Sequence, residues 1–391
     1  MTRLTVYVSA LVALDLALFS AIVPLLPQLS NRLDLTKVQS GLLLGAYSGA
    51  VLVTAVPLGH LADRVGMRNV NVAGSLLMCA ATAAFAVGSS FEVLFAARVA
   101  QGVGSAVAWS AGLAWLAART PEHRRGAGIS IANASATGGM IAGPVLGGVV
   151  AGAIGTRSTF LALAACSLLL AVWGAFEPDA RAPAERESSF LPALRAATAE
   201  RLIAVSFILI LLVAVIGGTL QVLMPLHLGD EGVTQSALGF LYAGGAALGA
   251  VTITTTGRLG DRIGRLPLAR AACLATGGAV AVLLLPLGTD LFAFMLVAII
   301  PIQSVLYGVG YPLGADGADR AGLGHGLVLG LINVIWGAGA VVGPVLGAAV
   351  ATHAGDRTAY ALLVVLSFGA AAAVGQVARS MRAAEPIIHD P

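Results

Sequence analysis

The sequence predicts an all-α integral membrane protein of twelve transmembrane helices, arranged as two pseudo-symmetric six-helix bundles. Three observations lead there. Of 391 residues, 58% are hydrophobic and only 10% are charged, with a mean hydropathy of +0.91, so nearly all of the chain must sit against lipid or other apolar helices. Charge clusters and Gly/Pro punctuation cut it into about twelve apolar runs, each near the roughly 20 residues that a hydrocarbon core requires. The second half also repeats the first at an offset of about 200 residues, the mark of a duplicated unit in parallel topology.

The expected spans lie near 4–28, 38–58, 69–89, 91–118, 127–154, 157–177, 201–228, 234–256, 267–288, 290–316, 326–352 and 357–378. The first is too long for a signal-peptide core and has no small-residue cleavage site, so it reads as a retained helix. Most arginines, among them Arg3, Arg64, Arg68, Arg119 and Arg379, fall on one side. Only Arg32, Lys37, Arg157 and Arg357 fall on the other. By the positive-inside rule both termini are cytoplasmic. The arginine, alanine and glycine excess over a solitary Lys37 fits a GC-rich bacterial genome, hence a multi-pass protein of a bacterial cytoplasmic membrane. The domain reading is 1–178 for the N-terminal bundle, 179–200 for a Pro-rich, mixed-charge cytoplasmic linker with a short helix near 190–197, and 201–391 for the C-terminal bundle with a short tail.

Several function classes drop out. The net charge of +3 resides in short loops between apolar runs, a topology signal rather than a nucleic-acid surface. Without a Gly-X-X-X-X-Gly-Lys-Ser/Thr run the chain has no P-loop of its own. There is no nucleophile elbow, no paired catalytic carboxylates, no cofactor fingerprint and no metal-ligand spacing among the histidines, so neither an enzyme nor a cofactor or metal is expected. Cys79, Cys166 and Cys273 lie inside apolar spans, which indicates no disulfide framework.

The chemistry concentrates in the first span, LTVYVSALVALDLALFSAIVPLLP, which carries Asp15 near its middle. An ionised carboxylate at the bilayer centre costs about 2.5 to 3.5 kcal/mol on insertion scales, so it is expected to face a bundle interior or a wet cavity. The second buried charge is Arg98. At 1.5 Å per residue it lies about 10 Å inside from one face, and Asp15 about 17 Å inside from the other, so in a core of about 30 Å their depths nearly coincide. Arg98 reads either as an electrostatic partner that governs the Asp15 proton or as a packing lock bonded to backbone carbonyls.

Two motifs recur. Gly59-His-Leu-Ala-Asp63-Arg64-Val-Gly66-Met-Arg68 returns as Gly257-Arg-Leu-Gly-Asp261-Arg262-Ile-Gly264-Arg265, and Gly143-Pro144-Val-Leu-Gly147 returns as Gly343-Pro344-Val-Leu-Gly347. The first is expected to be a cytoplasmic gate, with glycines for a tight turn and charges that reach across the seam between halves. In the second, small residues let helices approach closely and proline bends them. Together with Arg98-X-X-Gln101-Gly102, these motifs resemble the major facilitator superfamily, and within it the twelve-helix drug:proton antiporters. Leu14-Asp15, Val23-Pro24-Leu-Leu-Pro27 and the run from Gly59 through Gly148 are also similar to the vesicular monoamine transporters. The resemblance implies export by proton exchange, with Arg98 tied to proton coupling and the Gly143-Pro144 element to antiport. The acidic positions of the amine transporters in spans ten and eleven fall near Tyr307 and at Asn333.

Substrate contacts are expected from polar or aromatic residues near midplane: Phe19, Gln101, Trp109, Asn133, Thr137, Gln221, Tyr242, Tyr307, Asn333 and Trp336. One acid, few amides and several aromatics favour a small amphipathic molecule, neutral or cationic. The expected function is proton-coupled export of such a molecule by alternating access, by a monomer in the lipid bilayer, with Asp15 and Arg98 coupling the proton. The alternative is a symporter or facilitator for uptake of a small metabolite such as a sugar or an amino acid derivative. Asp316, beside Asp319 and Arg320, is expected in a loop.

Overall fold

The computed structural model describes residues 2–180 and 190–384. Of the expected linker, 181–189 with Arg181 and Arg186 lie outside the described residues, as do Met1 and the tail 385–391. The helices are α1 (Arg3–Leu33), α2 (Lys37–Val65), α3 (Met67–Val87), α4 (Phe91–Arg119), α5 (His123–Ile154) and α6 (Thr156–Ala175), then a short helix Phe190–Ala199. They continue as α7 (Arg201–Asp230), α8 (Gln235–Ile263), α9 (Arg265–Val282), α10 (Thr289–Ala321), α11 (His325–Ala354) and α12 (Asp356–Ala384). Among the described residues, eleven of these are long and apolar enough to cross a membrane. The exception is α9, the expected ninth span. It has 18 residues, and Arg265 and Arg270 at its start dilute its hydropathy, yet it packs inside the bundle against α10 and α12.

Local chemistry sets the ends. Thr36 caps α2 in a reciprocal capping box with Gln39, and Thr2, Ser90, Glu200 and Thr234 cap α1, α4, α7 and α8 with their side chains, satisfying first-turn amides. Gly66 and Gly264 (φ 99° and 88°) join α2 to α3 and α8 to α9. Gly155 and Gly355 (φ 89° and 84°) join α5 to α6 and α11 to α12, so the duplication extends to backbone angles only glycine adopts freely. Several helices outrun the expected spans. The gate expected as a loop is helical through Val65 and through Ile263, with one glycine breaking each, and Asp316 lies within α10 rather than in a loop. A helix leaving hydrocarbon need not stop at the interface; α2, α8 and α10 stop where Gly66, Gly264 and Gly322, each at positive φ, end the hydrogen-bond ladder.

Packing repeats as the sequence does. In the first six helices α1 lies on α5, α2 on α4 and α3 on α6; in the last six, α7 lies on α11, α8 on α10 and α9 on α12. Within the spans the backbone bonds along its own helix except where prolines such as Pro57, Pro225 and Pro344 interrupt the ladder, and outward positions such as Leu169 and Phe294 present bare hydrocarbon, as lipid contact demands. The two sets of six meet along two seams, α2 with α11 and α5 with α8.

Those seams are closed at one end only. At the face opposite the termini, Gly41 and Gly45 of α2 lie against Pro344 and Val345 of α11, and Gly148 of α5 lies against Gly239 of α8. There the Gln235 side-chain amide donates to the Gly147 carbonyl (2.7 Å), and the Lys37 ammonium pairs with Asp356 (2.5 Å). Among the described residues, every hydrogen bond and ion pair between the two sets lies at this face. Toward the terminal face the helices diverge. The α2 surface that carries Gly41 and Gly45 continues, at helical spacing, into Val53 and Val56, which are 72% and 65% exposed. The result is a cavity that opens toward the face carrying the termini.

Candidate functional site

Asp15 lies within α1 and is 2% exposed. Its carboxylate accepts three hydrogen bonds from neutral donors. The Tyr47 hydroxyl of α2 reaches Oδ1, while the Ser105 hydroxyl (3.0 Å) and the Trp109 indole N–H (2.8 Å) of α4 reach Oδ2. Ser105 and Trp109 are four residues apart and so converge on one acceptor. The π-helical turn Ala108–Gly112 begins beside Trp109, a type of irregularity that recurs where helices carry function.

Arg98 is 1% exposed on the same helix, but the direct Asp15–Arg98 pair open from the sequence is not formed. The Arg98 guanidinium donates to the carbonyls of Leu43 (3.1 Å) and Leu18 (3.4 Å) and to Oε1 of Gln101 (3.0 Å). It lies 4.6 Å from the centroid of the Tyr47 ring. Tyr47 therefore stands between the two charges, with its face toward the cation and its hydroxyl on the carboxylate. Sequence depth brought Asp15 and Arg98 level; it carried no sign of the aromatic ring separating them.

A chain of aromatic rings leads from this cluster across to the last six helices. Phe19, one turn beyond Asp15, packs on Tyr47 (5.2 Å between centroids) and on Trp336 of α11 (6.3 Å). The Trp336 indole donates to the hydroxyl of Tyr307 on α10 (2.8 Å), and the Tyr311 hydroxyl donates to Oδ1 of Asn333 (3.0 Å). Asn133 and Thr137 are exposed on the α5 face that carries Pro144 and Gly148 onto α8, so they line the diverging part of the cavity. Gln221 is half-buried on α7.

Two expected contacts face elsewhere. Gln101 is wholly buried, spanning Arg98 and the Thr82 hydroxyl (3.1 Å), because it is spent on satisfying the arginine. Tyr242 is 7% exposed and belongs to an apolar core cluster that runs through both sets of six helices. Residues absent from the sequence reading but present here are Tyr47, Ser105 and Tyr311. Tyr47 had a signal, as the sole tyrosine of the second span; Ser105 had none, since a serine in an apolar helix usually bonds its own backbone.

The recurring motifs separate into two roles. Gly143 packs on α1 against Ala17 and Ser20, and Gly343 packs on α7 against Val215, so the glycines hold helices together inside each set. Pro144 and Pro344 instead meet the other set, at Gly239 and Gly41. At the terminal face, Gly59 and Gly66 shape the end of α2. Asp63, Arg64 and Arg262 are exposed, and among the described residues they have no ion-pair partner. The Arg68 amide is capped by Asp179 (2.9 Å), and Arg265 binds Asp316 and Asp261. Among the described residues no hydrogen bond or ion pair crosses the halves here, which matches the opening of the cavity on this side.

Comparison with known proteins agrees with this architecture. The chain is 24% identical over 336 residues to Multidrug resistance protein 1 of Bacillus subtilis, a match covering 83% of this chain and 84% of that one. It is 36% identical over 133 residues to the synaptic vesicular amine transporter of Mus musculus (34% of this chain) and 32% identical over 163 residues to the MFS-type transporter ppzB of Metarhizium rileyi (40% of this chain). These two matches span only 26% and 33% of those relatives' own length. The crystal structure of a bacterial homolog of the human lysosomal transporter Spinster, inward-facing and unoccupied, superposes with a TM-score of 0.76 at 17% identity, covering 98% of this chain and 99% of that chain. The sequence pattern of the Major Facilitator Superfamily matches residues 8–322, and the chain belongs to that family of multi-pass membrane transporters.

Proposed function

We propose that this transporter exports a small amphipathic molecule, neutral or cationic, in exchange for protons, with Asp15 as the proton site. The observation that carries the reading is a buried carboxylate, Asp15, held by three neutral donors, with the nearest cation turned away behind Tyr47. Neutral donors hold a carboxylate without committing it to an ion pair, so proton and cationic cargo can alternate at Asp15. The aromatic line Phe19–Trp336–Tyr307 supplies flat apolar surface and π faces for such a cargo.

In this reading the halves 1–178 and 201–391 rock about the two seams in a bacterial cytoplasmic membrane, with both termini cytoplasmic and the open face inward. Arg98 couples through the Tyr47 ring, and the charged ends of α2 and α8 close the terminal face in the other state. One elementary charge crossing 100 mV yields about 2.3 kcal/mol, enough for one proton to drive appreciable accumulation. The test is Asp15→Asn in proteoliposomes under an imposed pH gradient. Gradient-driven export should be lost while folded protein remains in the membrane; export at the wild-type rate refutes the assignment. Alkalinisation of the lumen on cargo entry would mark antiport, and acidification would mark the uptake alternative.

A further inference from the structure

A second, small cavity touches Asp15 from within the first six helices, lined by Leu11, Leu14, Asn71, Ser75, Val107 and Ser167, among others. The volume open to the centre of a water molecule is about 10 Å³, close to the room that one water needs. Two of the lining residues carry deeply buried polar atoms without a hydrogen-bond partner, Asn71 Oδ1 and Ser75 Oγ, and a third such atom, Tyr7 Oη, lies beside Ser75. Each such group left dry costs about 1 to 3 kcal/mol, and three together in an apolar bundle mark a place built for a hydrogen-bonding ligand. The Asn71 amide nitrogen is already committed to the Met67 carbonyl (2.8 Å), which fixes Oδ1 as a free acceptor.

The line continues to the terminal face. Tyr7 precedes Asp15 by two turns on α1, about 12 Å along the axis. Its hydroxyl sits against Gly174, where a side chain would displace it, and beside Ser75. Its ring is held edge-on by Trp115 (5.7 Å) and Trp173 (5.8 Å). The Trp173 indole donates to Oε1 of Glu177 (2.9 Å); Glu177 is only 5% exposed, and Arg3, 3.6 Å away, extends from it into solvent.

We propose that these groups form a proton path, in which water held by Asn71, Ser75 and Tyr7 links Asp15 to Glu177 through the interior of the first six helices, apart from the cargo cavity. The Asp15 carboxyl gives its proton to the cavity water. The hydroxyls of Ser75 and Tyr7 each accept one proton and release another, and the Glu177 carboxylate takes the last and yields it to solvent beside Arg3. One proton moves and no group between the two acids is left charged. The path rests on Asp15 being the proton site.

The experiment is infrared spectroscopy of the full-length protein in membranes, following the Asp15 carboxyl band after a pH jump, with the band assigned by its loss in Asp15→Asn. Tyr7→Phe keeps the ring stack and removes the relay hydroxyl; Ser75→Ala removes the second hydroxyl, and Ser75→Val also fills the cavity. In each, the band should reach its wild-type amplitude about tenfold more slowly. Wild-type rates in Tyr7→Phe and Ser75→Ala overturn the path alone. A wild-type Asp15 band that does not respond to pH overturns the proton site and the path with it.

Discussion

Replacing Gly148 with alanine should shift the protein away from the form described here. Gly148 faces Gly239 across the α5–α8 seam, and a methyl group there would lie 2.8 Å from both the Gly239 amide nitrogen and the Gln235 carbonyl. These neighbours are backbone, so relief requires α5 and α8 to separate. Overpacking of this kind costs about 1 to 3 kcal/mol. If rocking is the motion, that cost falls only on the state with this seam closed, which corresponds to a roughly 5- to 150-fold shift in the equilibrium between states. Gly138 lies on the same helix with open space beside it, and Gly138→Ala controls for helix propensity. Spin labels at Asn31 and Asp290, exposed at the closed face, in a background lacking Cys79, Cys166 and Cys273, report the separation by pulsed electron paramagnetic resonance. Gly148→Ala should gain a long-distance population that Gly138→Ala lacks. Identical distance distributions, with both proteins folded, would refute the idea that the glycine contact holds this face shut.

Other expectations follow from the same contacts. Arg98→Met removes the donor to two backbone carbonyls and to Gln101 and should lower thermal stability by about 2 to 4 kcal/mol, seen as an earlier loss of the monodisperse peak on heating; an unchanged midpoint would mean those acceptors find other partners. Trp336→Phe deletes the bond to Tyr307 and narrows the aromatic surface facing Phe19. Affinity for an aromatic cation, measured by calorimetry, should weaken about tenfold, and undiminished binding would remove Trp336 from the cargo site. Asp179→Ala strips the acceptor from the Arg68 and Ala180 amides, a cap worth about 1 kcal/mol. Limited trypsin digestion after α6 should therefore speed up several-fold, and an unaltered rate would show that Asp179 does not tie the chain there.

The sequence by itself determined the class of protein, its span count, its duplication and the one acid worth watching. These are properties of residues taken singly or at fixed spacing. Hydropathy over 20 residues states whether a helix can live in lipid, repeated glycines at Gly66 and Gly264 mark backbone angles that other residues resist, and a carboxylate such as Asp15 is conspicuous wherever hydrocarbon surrounds it. Tertiary structure alone decided the rest. It set Tyr47 between Asp15 and Arg98, consumed Gln101 in satisfying the arginine, turned Tyr242 into the core, and closed the seams at Gly41 and Gly148 while leaving Asn133 and Thr137 in the open. The physical reason is that a helix with apolar residues all round carries little record of which side meets lipid and which meets protein. That choice is made by close packing between segments far apart in the chain, where one glycine opposite another fixes a contact that neither sequence neighbourhood announces.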